Sequence, residues 1–131
     1  MGNRQVNRQG SSRGPSGSAS DGKAAEELAA RFLERQGLQV LARNYRCPGG
    51  EIDLVCRHQR VLVFVEVRLR RHADYGGAAA SITASKRGRL LVAARHYLNV
   101  HDAGEAPCRF DCILLGSLSA NAVEWLQDAF S

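Results

Sequence analysis

Residues 50 to 69 read GEIDLVCRHQRVLVFVEVRL, two nine-residue runs rich in Val, Ile, Leu and Phe, 50 to 58 and 61 to 69, joined by Gln59-Arg60. Runs of this length and composition with so short a joint predict an antiparallel pair of strands. The second run is apolar enough for the centre of a sheet, yet it carries Glu66 and Arg68, two residues apart and therefore on one face. If the strands turn symmetrically about the Gln59-Arg60 bond, Asp53 lies opposite Glu66 and Glu51 opposite Arg68. Directly opposed side chains have Cβ atoms about 4.5 to 5.5 Å apart, so two carboxylates would be forced together on a half-buried surface. They repel unless something cationic sits between them. All-oxygen donors with no His or Cys nearby suit Mg²⁺ or Mn²⁺ rather than zinc. The alternative is a salt-bridge ladder on a solvent-facing sheet, in which Glu51 pairs with Arg68. A slip of one residue would send one carboxylate to the other face.

Working outward, LQVLARNYRC (38 to 47) supplies a third strand, and Pro48-Gly49 closes it onto the hairpin as a meander. Before it, Ser20 or Asp21 is positioned to cap the helix DGKAAEELAARFLERQ, whose Ala25, Leu28, Ala29, Phe32 and Leu33 form one apolar stripe, and Gly37 ends it. Residues 1 to 20 hold almost no apolar side chains and read as a flexible basic tail ahead of one domain spanning 21 to 131. After a Gly/Ala-rich loop (Tyr75 to Ala80), Thr83 or Ser85 can cap a second helix bearing Leu90, Leu91, Ala94, Tyr97 and Leu98. A last strand, CRFDCILLG (108 to 116), and a short C-terminal helix around VEWLQDAF complete an α/β chain.

The 131 residues carry a formal charge of +5, but Arg4, Arg8 and Arg13 lie in the tail. The remainder has fifteen basic against thirteen acidic residues, so bulk charge supports a nucleic-acid partner only weakly. The four cysteines, Cys47, Cys56, Cys108 and Cys112, form no C-x-x-C pair and read as reduced structural residues. Neither a signal-peptide h-region nor an apolar run long enough for a membrane span occurs, so the expected setting is cytoplasmic, with no membrane partner.

GEIDLV (50 to 55) followed by VFVEVR (63 to 68) resembles the PD-(D/E)xK nuclease core. From Gly22 to Phe130 the chain resembles the YraN-like family of predicted endonucleases related to Holliday-junction resolvases. The likeness includes Gly22 and Glu26 (G-x-x-x-E), the turn running from Arg46 through Gly49-Gly50 to Asp53, and Arg109-Phe110-Asp111. The resemblance implies a restriction-endonuclease-like αβββαβ core, a mixed sheet flanked by helices, with Asp53 and Glu66 as metal-binding acids. It further implies Glu26 as an additional acid and position 68 as the third motif residue.

Position 68 is Arg where the superfamily pattern has Lys. Arginine can orient a phosphate but cannot act as a general base, because its pKa exceeds about 12. Lys86, whose helical phase aligns it with Leu90 and Tyr97, is the second candidate for the positive group, since superfamily members are known in which the lysine has moved to this helix. Its bland reading is a lysine snorkelling from a helix start. Arg70, Arg71, Arg87 and Arg89 could flank the site and grip phosphates. The expected function is metal-dependent phosphodiester hydrolysis on DNA rather than RNA, on branched or recombination intermediates. The alternative is a catalytically weak module that binds nucleic acid or a partner on a nuclease scaffold. A homodimer is left open.

Overall fold

A computed structural model describes residues 17–69, 84–117 and 122–129. The order is α1 (Gly17–Arg35), β1 (Gln39–Cys47), β2 (Gly50–His58), β3 (Val61–Leu69), α2 (Ala84–Val100), β4 (Cys108–Leu115) and β5 (Val123–Leu126). The strands form one sheet in the order β1-β2-β3-β4-β5; every neighbouring pair is antiparallel except β3 with β4, which is parallel. The α/β class, the meander and the mixed sheet between two helices match the restriction-endonuclease-like core expected above.

Each helix covers one face. Ala25, Ala29, Ala30 and Leu33 of α1 pack on Leu54, Cys56, Val63, Val65, Ile113 and Leu115. Leu90, Ala93, Ala94 and Tyr97 of α2 pack on Ile52, Val55, Leu62 and Phe64. Central strands buried on both faces explain why β3 reads as a nearly continuous apolar run. α1 ends at Gly37, whose φ of +94° suits glycine; the N–H of Leu38 bonds Leu33 O (3.0 Å) and that of Gly37 bonds Glu34 O (3.0 Å), a Schellman closure that seats Leu38 against Leu33 in the core.

Several expectations change. α1 begins by Gly17, about a turn before the Ser20 or Asp21 cap, so only part of the proposed tail lies ahead of it, outside the described residues. Ser85 lies inside the first turn of α2; Thr83, the Tyr75 to Ala80 loop and Phe130 fall outside the described residues. Leu91 is 46% exposed, since the buried stripe of α2 runs through Ala93 instead. The C-terminal segment is a strand, not a helix. Val123 and Trp125 turn to the α1 layer while Leu126 turns to Cys112 and Leu114, a period of two. Asp111, fully buried, fixes this segment by accepting hydrogen bonds from Arg109 Nε (3.0 Å), Trp125 Nε1 (2.9 Å) and the Asp128 N–H (2.9 Å).

β2 starts in close contact with α2. A Cβ on Gly50 would lie 2.5 Å from Arg89 O and 2.7 Å from Ala93 N, both backbone atoms that cannot swing away. Gly50→Ala is therefore expected to lower stability by about 1 to 3 kcal/mol, the usual cost of overpacking, measured by denaturant unfolding. A change within error would mean that α2 does not seat on β2 this closely.

Candidate functional site

The site forms where β2 and β3 part. Their pairing runs from His58↔Val61 to Leu54↔Val65, in the symmetric register read from the sequence, and stops one pair short of Asp53 and Glu66. Below that point β2 pairs with β1 (Ile52 with Tyr45, Glu51 with Arg46) and β3 pairs with β4 (Glu66 with Cys112, Arg68 with Leu114). The fork has a direct cause: the Asp53 carboxylate accepts the Val67 N–H at 2.8 Å, a donor that would otherwise face a strand. Asp53 and Glu66 are thus neighbours across a fork rather than a ladder pair. On β1, Asn44 lies between Arg43 and Tyr45, which pair with Leu54 and Ile52, and has a φ of 50°, a left-handed conformation that Asn tolerates better than most residues.

Glu66 is 2% exposed. Its carboxyl is pushed up to about 7, first by burial and then by the charge of Asp53, while Lys86 pulls the other way. Lys86 Nζ, from the first turn of α2, lies 2.7 Å from Glu66 Oε2. Lys86 is thus the cationic partner of a carboxylate that is otherwise shut away from solvent beside a second acid. Glu26 reaches the same place from α1. Its carboxyl is raised by burial and by Asp53, and is eased back by a hydrogen bond from Asn44 and the charge of Arg46. Three acids therefore meet in one small volume, on three elements, with one lysine among them.

Glu51, expected opposite Arg68, instead pairs with Arg89 of α2 at 3.2 Å, because the fork separates β2 from β3 before that position is reached. Arg68 remains on β3 beyond the fork, half-buried, its charge felt by the thiol of Cys112. Arg87 is exposed and lines a cavity of about 410 Å³ with Ala84, Gly88, Leu91 and Phe110. Arg70 and Arg71 lie outside the described residues. Sequence reasoning missed Asn44, for which an Asn in the middle of a strand-like run was the available signal, and gave Arg46, named only as part of the family-like turn, no role at the site. Cys112, read from the sequence as a reduced structural residue, is free and buried, its thiol pushed up to about 12 by desolvation and by Glu66.

Among the described residues no three His, Cys, Asp or Glu side chains form a preassembled ligand set. The donors nevertheless fit a hard divalent cation: they are all carboxylate oxygens, Asp53 lies beside both Glu66 and Glu26, and Mg²⁺ commonly takes one or two carboxylates and keeps its waters.

Residues 25–115 match the model of an uncharacterised protein family, UPF0102. A UPF0102 protein of Methylobacillus flagellatus is 59% identical over 84% of this chain and 96% of its own length. One from Nitrosomonas europaea is 50% identical over 88% of this chain and 97% of its own, and one from Ralstonia nicotianae is 52% identical over 88% and 90%.

The raised carboxyl of Glu66 sets a sign for pH dependence. Folded, Glu66 holds its proton more tightly than at its ordinary value of 4.5, so its contribution to stability is full below that value and is lost as pH rises through about 7. Glu66→Gln should flatten the fall in stability between acid and neutral pH. In carbon-detected NMR titrations the Glu66 midpoint should move down in Asp53→Asn and up in Lys86→Met. Midpoints that stay put in both variants would show that the three groups do not meet.

Proposed function

The chain belongs to the uncharacterised protein family UPF0102, the YraN family, and from that premise we propose that it is a metal-dependent phosphodiesterase acting on DNA. The observation that carries this reading is the almost wholly buried carboxyl of Glu66, held beside Asp53 at a fork in the sheet where Glu26 also arrives, with Lys86 against it. Desolvating an acid beside a second acid is costly, and stability alone gives no reason to keep it.

Asp53 and Glu66 would hold Mg²⁺ or Mn²⁺, with Glu26 as a further oxygen donor; such a cation neutralises phosphate charge and lowers the pKa of its own water. The chain's own groups divide the remaining work. One Asp53 oxygen is fixed by the Val67 N–H, which sets the plane of the carboxylate. Lys86 opposes the upward push on the Glu66 carboxyl and places an ammonium beside the acids, where it can contact a phosphate oxygen or a developing negative charge. This makes Lys86, rather than Arg68, the positive group of the site. Arg87 and Arg89 stand on the exposed side of the same helix and supply sequence-independent attraction for the backbone. Branched or recombination intermediates are the proposed substrates, on the strength of the resemblance to junction resolvases.

A second reading also has an observation behind it. Lys86 already neutralises Glu66, so the scaffold can stand without a cation and serve as a catalytically weak binding module.

Cleavage of branched, linear duplex and single-stranded DNA in Mn²⁺, Mg²⁺ or EDTA separates the two. Wild type should cut in Mn²⁺ or Mg²⁺ and not in EDTA, and Asp53→Asn should abolish cutting while DNA affinity stays equal or rises, one negative charge having been removed. Lys86→Ala should cost roughly a hundredfold or more, the scale for losing a preorganised electrostatic contact. Arg68→Ala should have little effect. The reverse sensitivities would return the role to Arg68, and a folded wild type that cuts nothing with any metal would leave the binding module.

A further inference from the structure

The far end of the sheet carries a second, open cavity, of about 400 Å³, lined by Leu41, Arg57, Arg60, Leu62, Tyr97 and His101 together with Ala103 and Ala106. It is distinct from the acid site. Leu62 precedes Glu66 by four residues of one strand, about 13 Å, and His101 lies at the opposite end of α2 from Lys86, about 22 Å along the helix. Its volume is within the range of pockets that enclose small ligands, roughly 300 to 1,000 Å³.

Two features give the cavity a chemistry. Arg57 and Arg60 are exposed, and among the described residues no carboxylate forms an ion pair with either. Arg60 is carried on the β2–β3 turn, where Gln59 adopts a φ of 60°. Asp102 and Glu105, on the neighbouring loop, do not line the space. The second feature is a flat surface. The His101 ring lies on Tyr97 with centroids 4.0 Å apart and planes 22° apart, and its Nδ1 is tied to Tyr97 O at 3.0 Å. Tyr97 is itself wedged edge-on against Tyr45 and Phe64, so the stacked pair is backed by the core. Two of the carbonyls at the end of α2 that would repel an anion are capped, Leu98 O by the Ala103 N–H (2.8 Å) and Asn99 O by the Asp102 N–H (3.3 Å). Paired guanidiniums bind phosphate, and a fixed aromatic plane beside apolar walls accepts a base.

We propose that this cavity binds one phosphorylated nucleotide, with Arg57 and Arg60 on the phosphate and the base against His101. The nucleotide is either free or the 5′-phosphorylated end of a strand. The site is independent of the carboxylate cluster.

Isothermal titration calorimetry with dAMP, deoxyadenosine, inorganic phosphate and a hexanucleotide with or without a 5′-phosphate tests it on the full chain. Saturable binding is expected for dAMP, for the 5′-phosphorylated hexanucleotide, or for both; which of them binds identifies the source. Deoxyadenosine and inorganic phosphate should each bind at least about tenfold more weakly, each lacking one half of the contacts. The Arg57→Ala/Arg60→Ala double variant should lose about tenfold or more at an unchanged melting temperature. His101→Ala should weaken dAMP but not phosphate, and Asp53→Asn should bind dAMP as wild type does, so that this site and the acid site succeed or fail separately. The proposal is overturned by absence of saturable binding of both phosphorylated probes up to about 10 mM, by undiminished affinity in the folded double variant, or by inorganic phosphate binding as tightly as dAMP.

Discussion

The hydrogen bond from the Val67 N–H to the Asp53 carboxylate is the interaction on which the rest of the arrangement depends. A side chain takes the place of a neighbouring strand, and from that point β2 is held by β1 and β3 by β4. The sheet opens without leaving that amide unsatisfied. The opening admits Glu26 from one helix layer and Lys86 from the other to a spot between them. Had the pairing continued, Asp53 and Glu66 would have faced one helix only, and the acid on α1 would have been shut out by the sheet.

The electrostatics follow from that geometry. Glu66 is almost wholly buried beside Asp53, and its carboxyl rises accordingly. Lys86 relieves the repulsion without removing it, since burial remains the largest influence. Asp111 provides a contrast within the same sheet. It too is fully buried, but a guanidinium, an indole N–H and a backbone N–H satisfy it, and it holds β5 in place. One buried acid is saturated by its donors and structural; the other is set against a second acid, with Lys86 as its counter-charge.

What the amino-acid sequence disclosed, and what it concealed, divides along the same line. The β2–β3 hairpin was legible to the residue, because long runs of β-formers and a two-residue joint leave one register open. The fork was not, since register arithmetic assumes that a ladder continues and contains no rule for a carboxylate that replaces a strand. Glu51 was therefore given the wrong partner, Arg68 in place of Arg89. Val-Glu-Trp-Leu was read as helix because four residues fit either period, and the deciding contacts come from Asp111, distant in sequence. Lys86 was half legible: helical phase pointed it inward, but only the fold shows which acid it meets. Glu26 entered through family likeness alone, as nothing in its own helix marks it from its neighbour Glu27, which faces Arg31 and Arg43.

The parallel pairing of β3 with β4 also governs how the chain reaches this state. α1 and the meander are built from contacts between near neighbours in sequence and can form early, whereas partners such as Leu62 and Cys108 meet only after α2 has been laid across the sheet. Closing so long a loop costs entropy before any contact is gained, so topology places docking of β4 in the slower, non-local part of folding. Until it occurs, the β3 edge, including Glu66 and the strongly apolar run before it, is bare, and a nascent chain at that stage presents its future functional centre as its most association-prone surface.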